Sequence, residues 1–124
     1  MDDSLEDLKV ERERFGKTND AATTDCPRRM LNITRDTGEF LAVLARATNA
    51  QRVLEIGTSN GYSTLWLAEA AKAIGGGVTT IEFAELKVGL ASTNFARAAI
   101  GTSAHTAKGY ESSRDSGVVT TTLI

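Results

Sequence analysis

The sequence predicts an α/β fold built on a βαβ unit with two parallel strands, and three observations support this. Residues Arg52–Ile56, RVLEI, form a short apolar run carrying one acid, Glu55, and the run breaks at Gly57. A turn of small and polar residues follows, Gly57-Thr58-Ser59-Asn60-Gly61, and residues 62–74 then have the composition of a helix. After Gly75-Gly76-Gly77 comes a second run, VTTIE at 78–82, which is β-branched and again ends in an acid, Glu82. Strand, tight turn, helix, strand is the order that lays two strands parallel with the helix across them.

Taken from the start, residues 4–14 read as a helix with acids early and bases late (Lys9, Arg12, Arg14), as the helix dipole favours. Its apolar face is thin, mainly Leu5, Leu8 and Phe15, which predicts a place on the surface or against a partner subunit. Residues 15–27, with Gly16, Asn19, Asp20 and the only proline, read as a loop. Asp36 followed by Glu39 resembles a capping pair. It opens a helix whose Phe40, Leu41, Leu44 and Ala47 share one side, and Asn49 and Ala50 end it. Trp66, Leu67 and Ala70 give the next helix a buried face, and the three glycines stop it. Residues 84–100 read as a second crossover helix, with Val88, Ala91, Phe95 and Ala98 facing a sheet. Gly89 inside it costs about 1 kcal/mol relative to alanine, so that helix depends on packing.

Beyond Ile100 the pattern stops. Residues 102–124 hold eleven Ser, Thr or Gly among 23, so they read as an irregular tail in which only 118–124 could form a strand. His105 is expected to be an exposed tail residue, and Asp115 is the only acid after Glu111. The change of composition suggests a frameshifted or prematurely ended reading frame. The chain thus divides into a helix and loop (1–25), a βαβ region (26–101) and a tail (102–124).

A length of 124 residues suits one domain, and 41% hydrophobic with 24% charged residues is a globular composition. A net charge of -2 gives no electrostatic reason to bind nucleic acid or an anionic membrane. Cys26 is the only cysteine, so no internal disulfide can form and a reducing compartment fits. No apolar run reaches the roughly 18 residues of a membrane span, and the acidic start MDDSLEDL is unlike a signal peptide. A cytoplasmic protein is expected.

The glycine turn narrows the ligand. Gly57 and Gly61 permit positive φ and close backbone approach, and the N-terminus of the following helix attracts anionic groups. A dinucleotide fingerprint needs glycine at three positions that here hold Gly57, Ser59 and Tyr62, so a nicotinamide-dependent oxidoreductase fails. A phosphate-binding P-loop needs a lysine that Tyr62-Ser63-Thr64 lacks. The spacing present is acid-x-Gly-x-x-x-Gly, Glu55 to Gly61, with Glu82 ending the next strand. In a βαβ unit that second carboxylate sits beside the first loop, where it can accept the hydroxyl protons of a ribose.

EIGTSNGYSTLWLA followed by TTIE resembles the cofactor half of class I S-adenosylmethionine-dependent O-methyltransferases, in particular the metal-dependent catechol and caffeoyl-CoA type. LNITRDTG at 31–38 is similar to that type's segment covering the cofactor, so the likeness runs over about residues 26–100. It implies the N-terminal portion of a Rossmann-like methyltransferase fold with an incomplete sheet. It also implies roles for single residues. Gly57 and Gly61, with Thr58 and Ser59 between them, would let the backbone approach the methionine part of S-adenosylmethionine. Ser63 would hydrogen-bond its carboxylate, Glu55 would lie near its ammonium, and Glu82 would hold the ribose hydroxyls. Asn32 and Ile33 would line the methyl-bearing side. Ser59 stands where the commoner form of the motif has its middle glycine.

The same resemblance implies a small-molecule methyl acceptor, a divalent ion such as Mg²⁺, and a homodimer. The family's metal ligands follow its fourth and fifth strands, and no catalytic or metal residue is assigned in this chain. It therefore reads as the cofactor-binding half of a methyltransferase homologue with impaired or absent activity; the alternative is a non-catalytic cofactor-binding or interaction module. The family pairs the far edge of its first strand with the fourth strand. Here that edge is expected to fall to the tail at 118–124, to another subunit, or to remain open and destabilising.

Overall fold

The computed structural model describes residues 2–100, 102–107 and 118–123. Strand β1 (Arg52–Ile56) and strand β2 (Gly77–Glu82) pair in parallel, with Arg52 opposite Gly77 and Ile56 opposite Ile81. Helix α3 (Tyr62–Ala73) makes the crossover between them. Three further helices are α1 (Asp2–Ala22), α2 (Arg35–Ala47) and α4 (Glu85–Arg97), and a short 3₁₀ turn spans Cys26–Arg28. The tail contributes β3 (Thr102–Ala107) and β4 (Val118–Leu123).

Helix α3 is the centre of the packing. Leu65, Leu67, Ala68 and Ala71 on it meet Val78 from β2, Ala91 and Phe95 from α4, Leu123 from β4 and Leu8 from α1. Complete burial of a side chain such as Phe95 is worth roughly 1.5–3 kcal/mol. Alternation along the strands sends Val78 and Thr80 toward the helices. Leu54 and Ile56 point the other way and are 63% and 82% exposed, so the helices cover one face of the sheet.

Several expectations need correction. The first helix does not end near residue 14 but runs to Ala22, so the region read as a loop is mostly helical. Gly16, Asn19 and Asp20 weaken a helix locally, yet tertiary partners on residues 28–32 hold them in place, and tertiary contact overrides propensity. Nor is α1 a thin surface helix. Leu8 and Lys9 are 3% and 2% exposed, the Lys9 ammonium lies 3.6 Å from the centre of the Trp66 ring, and it is ion-paired with Glu69. Helix α2 is capped by Thr34, whose hydroxyl accepts the Thr37 N–H, and not by the Asp36–Glu39 pair.

The tail differs most. Residues 102–107 and 118–123, expected to be irregular apart from a single strand, form two antiparallel strands, because their Thr and Val content favours extended backbone. His105 lies in β3 opposite Thr120, and Asp115 lies outside the described residues. Strand β4 pairs antiparallel with β2, Val78 opposite Leu123, and the sheet order is β1-β2-β4-β3. The tail therefore does not cover β1, which ends the sheet among the described residues. Leu123, 1% exposed, gives the pairing an apolar anchor on the helix side. Among the described residues no helix is long and apolar enough to cross a membrane.

Candidate functional site

The loop from Gly57 to Gly61 leaves β1 and turns into α3. The N–H groups of Gly57 and Thr58 both donate to the Ile81 carbonyl, at 2.8 and 3.1 Å, which ties the loop to the end of β2. Gly57 has φ of +93° and open space where a Cβ would stand, so its need for glycine is conformational. Gly61, at φ +88°, caps α3, and a Cβ there would lie 2.7 Å from the Phe95 ring; packing on α4, in addition to conformation, requires glycine. Ser59 takes φ of +51°, a left-handed conformation that costs a non-glycine residue roughly 1–2 kcal/mol. Two hydrogen bonds offset this: its N–H donates to Glu82 Oε2 at 2.8 Å, and its hydroxyl donates to the Met30 carbonyl at 3.0 Å.

Two acids stand under this loop. Glu82, 6% exposed, accepts from the backbone N–H groups of Ser59, Phe83 and Ala84 at 2.8, 3.0 and 3.0 Å. Glu55 accepts from hydroxyls instead, those of Ser63 and Thr64 at the start of α3 and of Thr80 on β2. Thr80 also shares a hydrogen bond of 2.7 Å with Thr58. Burial pushes the Tyr62 phenol up to about 12, and the hydrogen bond it donates to Glu13 at 2.6 Å acts in the same direction.

Above the loop lies a cavity of about 100 Å³, lined by Met30, Leu31, Asn32, Ile33, Gly57, Thr58, Ser59, Asn60, Tyr62 and Ser63. Whole ligand sites typically occupy about 300–1,000 Å³, so this cavity matches one portion of a ligand. Among its lining residues Asn60 is fully buried, and its Nδ2 has no protein hydrogen-bond partner. The other end of that amide is fixed, since its Oδ1 accepts the Tyr62 N–H at 3.1 Å. A buried donor without an acceptor costs about 1–3 kcal/mol.

The O-methyltransferase family profile matches residues 8–112. The chain belongs to the S-adenosylmethionine-dependent O-methyltransferase family. A catechol O-methyltransferase of Mycobacterium tuberculosis is 46% identical over 63 residues, covering 51% of this chain and 28% of that protein. A catechol O-methyltransferase of Niastella koreensis is 34% identical over 83 residues, 67% of this chain and 36% of its own length. Among solved structures, an O-methyltransferase from Bacillus cereus in complex with SAH aligns with TM-score 0.56 and 33% identity, covering 80% of this chain and 40% of that one. The chain thus spans about a third of the length of the curated relatives it matches. The fold is Rossmann-like, as the resemblance implied.

Set against the sequence expectations, Asn32, Ile33, Gly57, Thr58, Ser59 and Ser63 converge on the cavity. Glu55, Gly61 and Glu82 do not line it: Glu55 and Glu82 brace the loop from below, and Gly61 turns the chain onto Phe95. Sequence reasoning missed Met30, Leu31, Asn60 and Tyr62. Asn60 and Tyr62 sit inside the glycine motif and could have been taken from it. Leu31 opens the 31–38 segment whose resemblance implies a cover over the cofactor, though it carried no role of its own, and nothing in the local sequence marks Met30.

Proposed function

We propose that residues 26–101 bind the methionine end of S-adenosylmethionine in this cavity, as the cofactor-binding part of an enzyme that methylates a small-molecule hydroxyl. The observation that carries the reading is the convergence of the 30–33 segment and the glycine loop on a cavity whose lining includes Asn60, a buried residue with an unpartnered Nδ2. A carboxylate or carbonyl oxygen of the ligand would satisfy that donor. Ser63, a half-buried hydroxyl at the first turn of α3, now donates to Glu55; turned toward the cavity it would donate to the ligand carboxylate, where the helix N-terminus also favours an anion. Glu55 Oε2, released from Ser63, would then face the ligand ammonium. Glu82 spends three of about four lone-pair sites on backbone N–H groups, leaving one for a ribose hydroxyl.

When bound, S-adenosylmethionine supplies an activated methyl group on a sulfonium. The contribution of these residues is to hold that group in place, and positioning can supply about 7–11 kcal/mol of a displacement barrier. For the divalent ion that the family resemblance implies, the described residues contain no group of three His, Cys, Asp or Glu that could hold one, so no step is assigned to a metal.

Titration calorimetry with S-adenosylmethionine tests the reading. Saturable 1:1 binding that weakens on Asn60→Ala is the expected result, and absence of binding by the folded chain overturns it. A methyl-transfer assay with a catechol and Mg²⁺ then separates an enzyme from a module that binds without turnover.

A further inference from the structure

The 30–33 wall belongs to no helix or strand; it lies between the 3₁₀ turn and α2, and its position over the glycine loop must be fixed from elsewhere. It is fixed from α1. Asp20 accepts the Met30 N–H at Oδ1, 2.7 Å, and the Leu31 N–H at Oδ2, 2.8 Å. Its neighbour Asn19 donates both to Asp20 Oδ1, at 3.1 Å, and to the Arg28 carbonyl, at 2.8 Å. Two turns earlier the Arg12 carbonyl accepts from the Asn32 amide at 3.1 Å, and that amide fills the notch at Gly16, where a Cβ would lie 2.6 Å from it. Positions 12, 16 and 20 fall on one stripe of a helix. The contacts therefore form a rail along α1.

Three features, one of Asp20 and two of the clamped segment, indicate that this rail serves the cavity. Asp20 lies in the last turn of α1, where the helix dipole disfavours a carboxylate and where no basic residue compensates. Its two N–H donors supply what the helix does not. Desolvation raises the Asp20 pKa, but the N–H groups of Met30 and Leu31, the Asn19 amide and the Arg29 charge together outweigh it, so the carboxyl lies below its usual value. Leu31 in turn holds φ of +49° and is 63% exposed, a strained backbone with an apolar side chain that gains little from burial. Met30 is gripped from both sides, its N–H by Asp20 and its carbonyl by the Ser59 hydroxyl of the glycine loop.

We infer that Asp20 is a positioning residue for the ligand: from outside the cavity it sets the height of the 30–33 wall above the glycine loop. The inference rests on the cofactor reading given above. Asp20 does not line the cavity itself, so its effect passes through Met30 and Leu31.

The test uses the full chain with S-adenosylmethionine as the calorimetric probe, together with ¹H–¹⁵N spectra of the free protein. Asp20→Ala is expected to weaken binding about tenfold and to move the Met30 and Leu31 amide resonances. Asp20→Asn, which keeps one acceptor, should fall between it and the wild type. It also serves as the informative variant if the alanine form does not fold. Arg97→Ala, which breaks an exposed ion pair with Glu11, should bind as the wild type does. Wild-type affinity in a folded Asp20→Ala, or an equal loss in Arg97→Ala, overturns the positioning role while leaving the cofactor reading intact. A wild-type chain that binds no S-adenosylmethionine overturns the cofactor reading and the ligand role with it. In that case the amide shifts still decide whether Asp20 clamps the wall.

Discussion

The two parallel strands carry their acids toward the same loop, but the acids are held in opposite ways. Glu55 of β1 is surrounded by side-chain hydroxyls, from Ser63, Thr64 and Thr80. Glu82 of β2 is surrounded by main-chain N–H groups, from Ser59, Phe83 and Ala84. A hydroxyl can rotate to another acceptor, and it accepts as well as donates. A backbone N–H is aimed by φ and ψ and cannot turn without moving the chain. The end of β1 is therefore adaptable and the end of β2 is fixed, so only the first can exchange a protein partner for a ligand without rebuilding the loop.

The largest effect expected from this contrast is at Glu82. Glu82→Ala leaves three N–H groups without their acceptor, and an unsatisfied buried donor costs about 1–3 kcal/mol, so a loss above about 3 kcal/mol is expected in urea denaturation. Glu82→Gln should recover less than half of it, because its amide NH₂ presents a donor to donors. Glu55→Gln comes next, at about 1–2 kcal/mol, since its hydroxyl partners can reorient to accept from the amide. Equal costs at the two sites would erase the distinction between an adaptable and a fixed strand end. The smallest effect belongs to Glu11, an exposed carboxylate held by charge and not by packing. The hydrogen bond from Arg97 comes first among the causes that lower it to about 2, below its ordinary value of 4.5, with Arg12 adding to it. Its contribution is therefore fully present above pH 4.5 and is lost as pH falls toward 2. Denaturation midpoints followed from pH 5 to 2 should show a shallower decline in Glu11→Gln than in the wild type.

The sequence was readable where local chemistry and tertiary structure agree. The bounds of β1, the start of α3 at Tyr62 and the end of β2 at Glu82 all follow from a glycine turn after a short apolar run and from the β-branched run that succeeds the three glycines. Reading failed where a distant partner decides. Gly16, Asn19 and Asp20 look like loop residues, and their helical state depends on Arg28, Met30, Leu31 and Asn32. The same holds for β3 and β4, whose Ser and Thr content fits a loop or a strand until β2 offers an edge to pair with. Within the site, Gly57 to Ser63 form one motif in the sequence. The wall they face comes from about thirty residues earlier, and its place is set by a helix that carries none of the motif.

The seating of α1 has a further consequence, through Trp66. It is the only tryptophan in the chain, and it is flanked by cations from two helices, Lys9 of α1 at 3.6 Å and Arg35 of α2 at 5.4 Å from its ring. Any loosening of α1 withdraws one of those charges from the indole. The protein thus carries a built-in optical gauge, in which the colour and yield of a single fluorophore register whether the helix that bears Asp20 is docked.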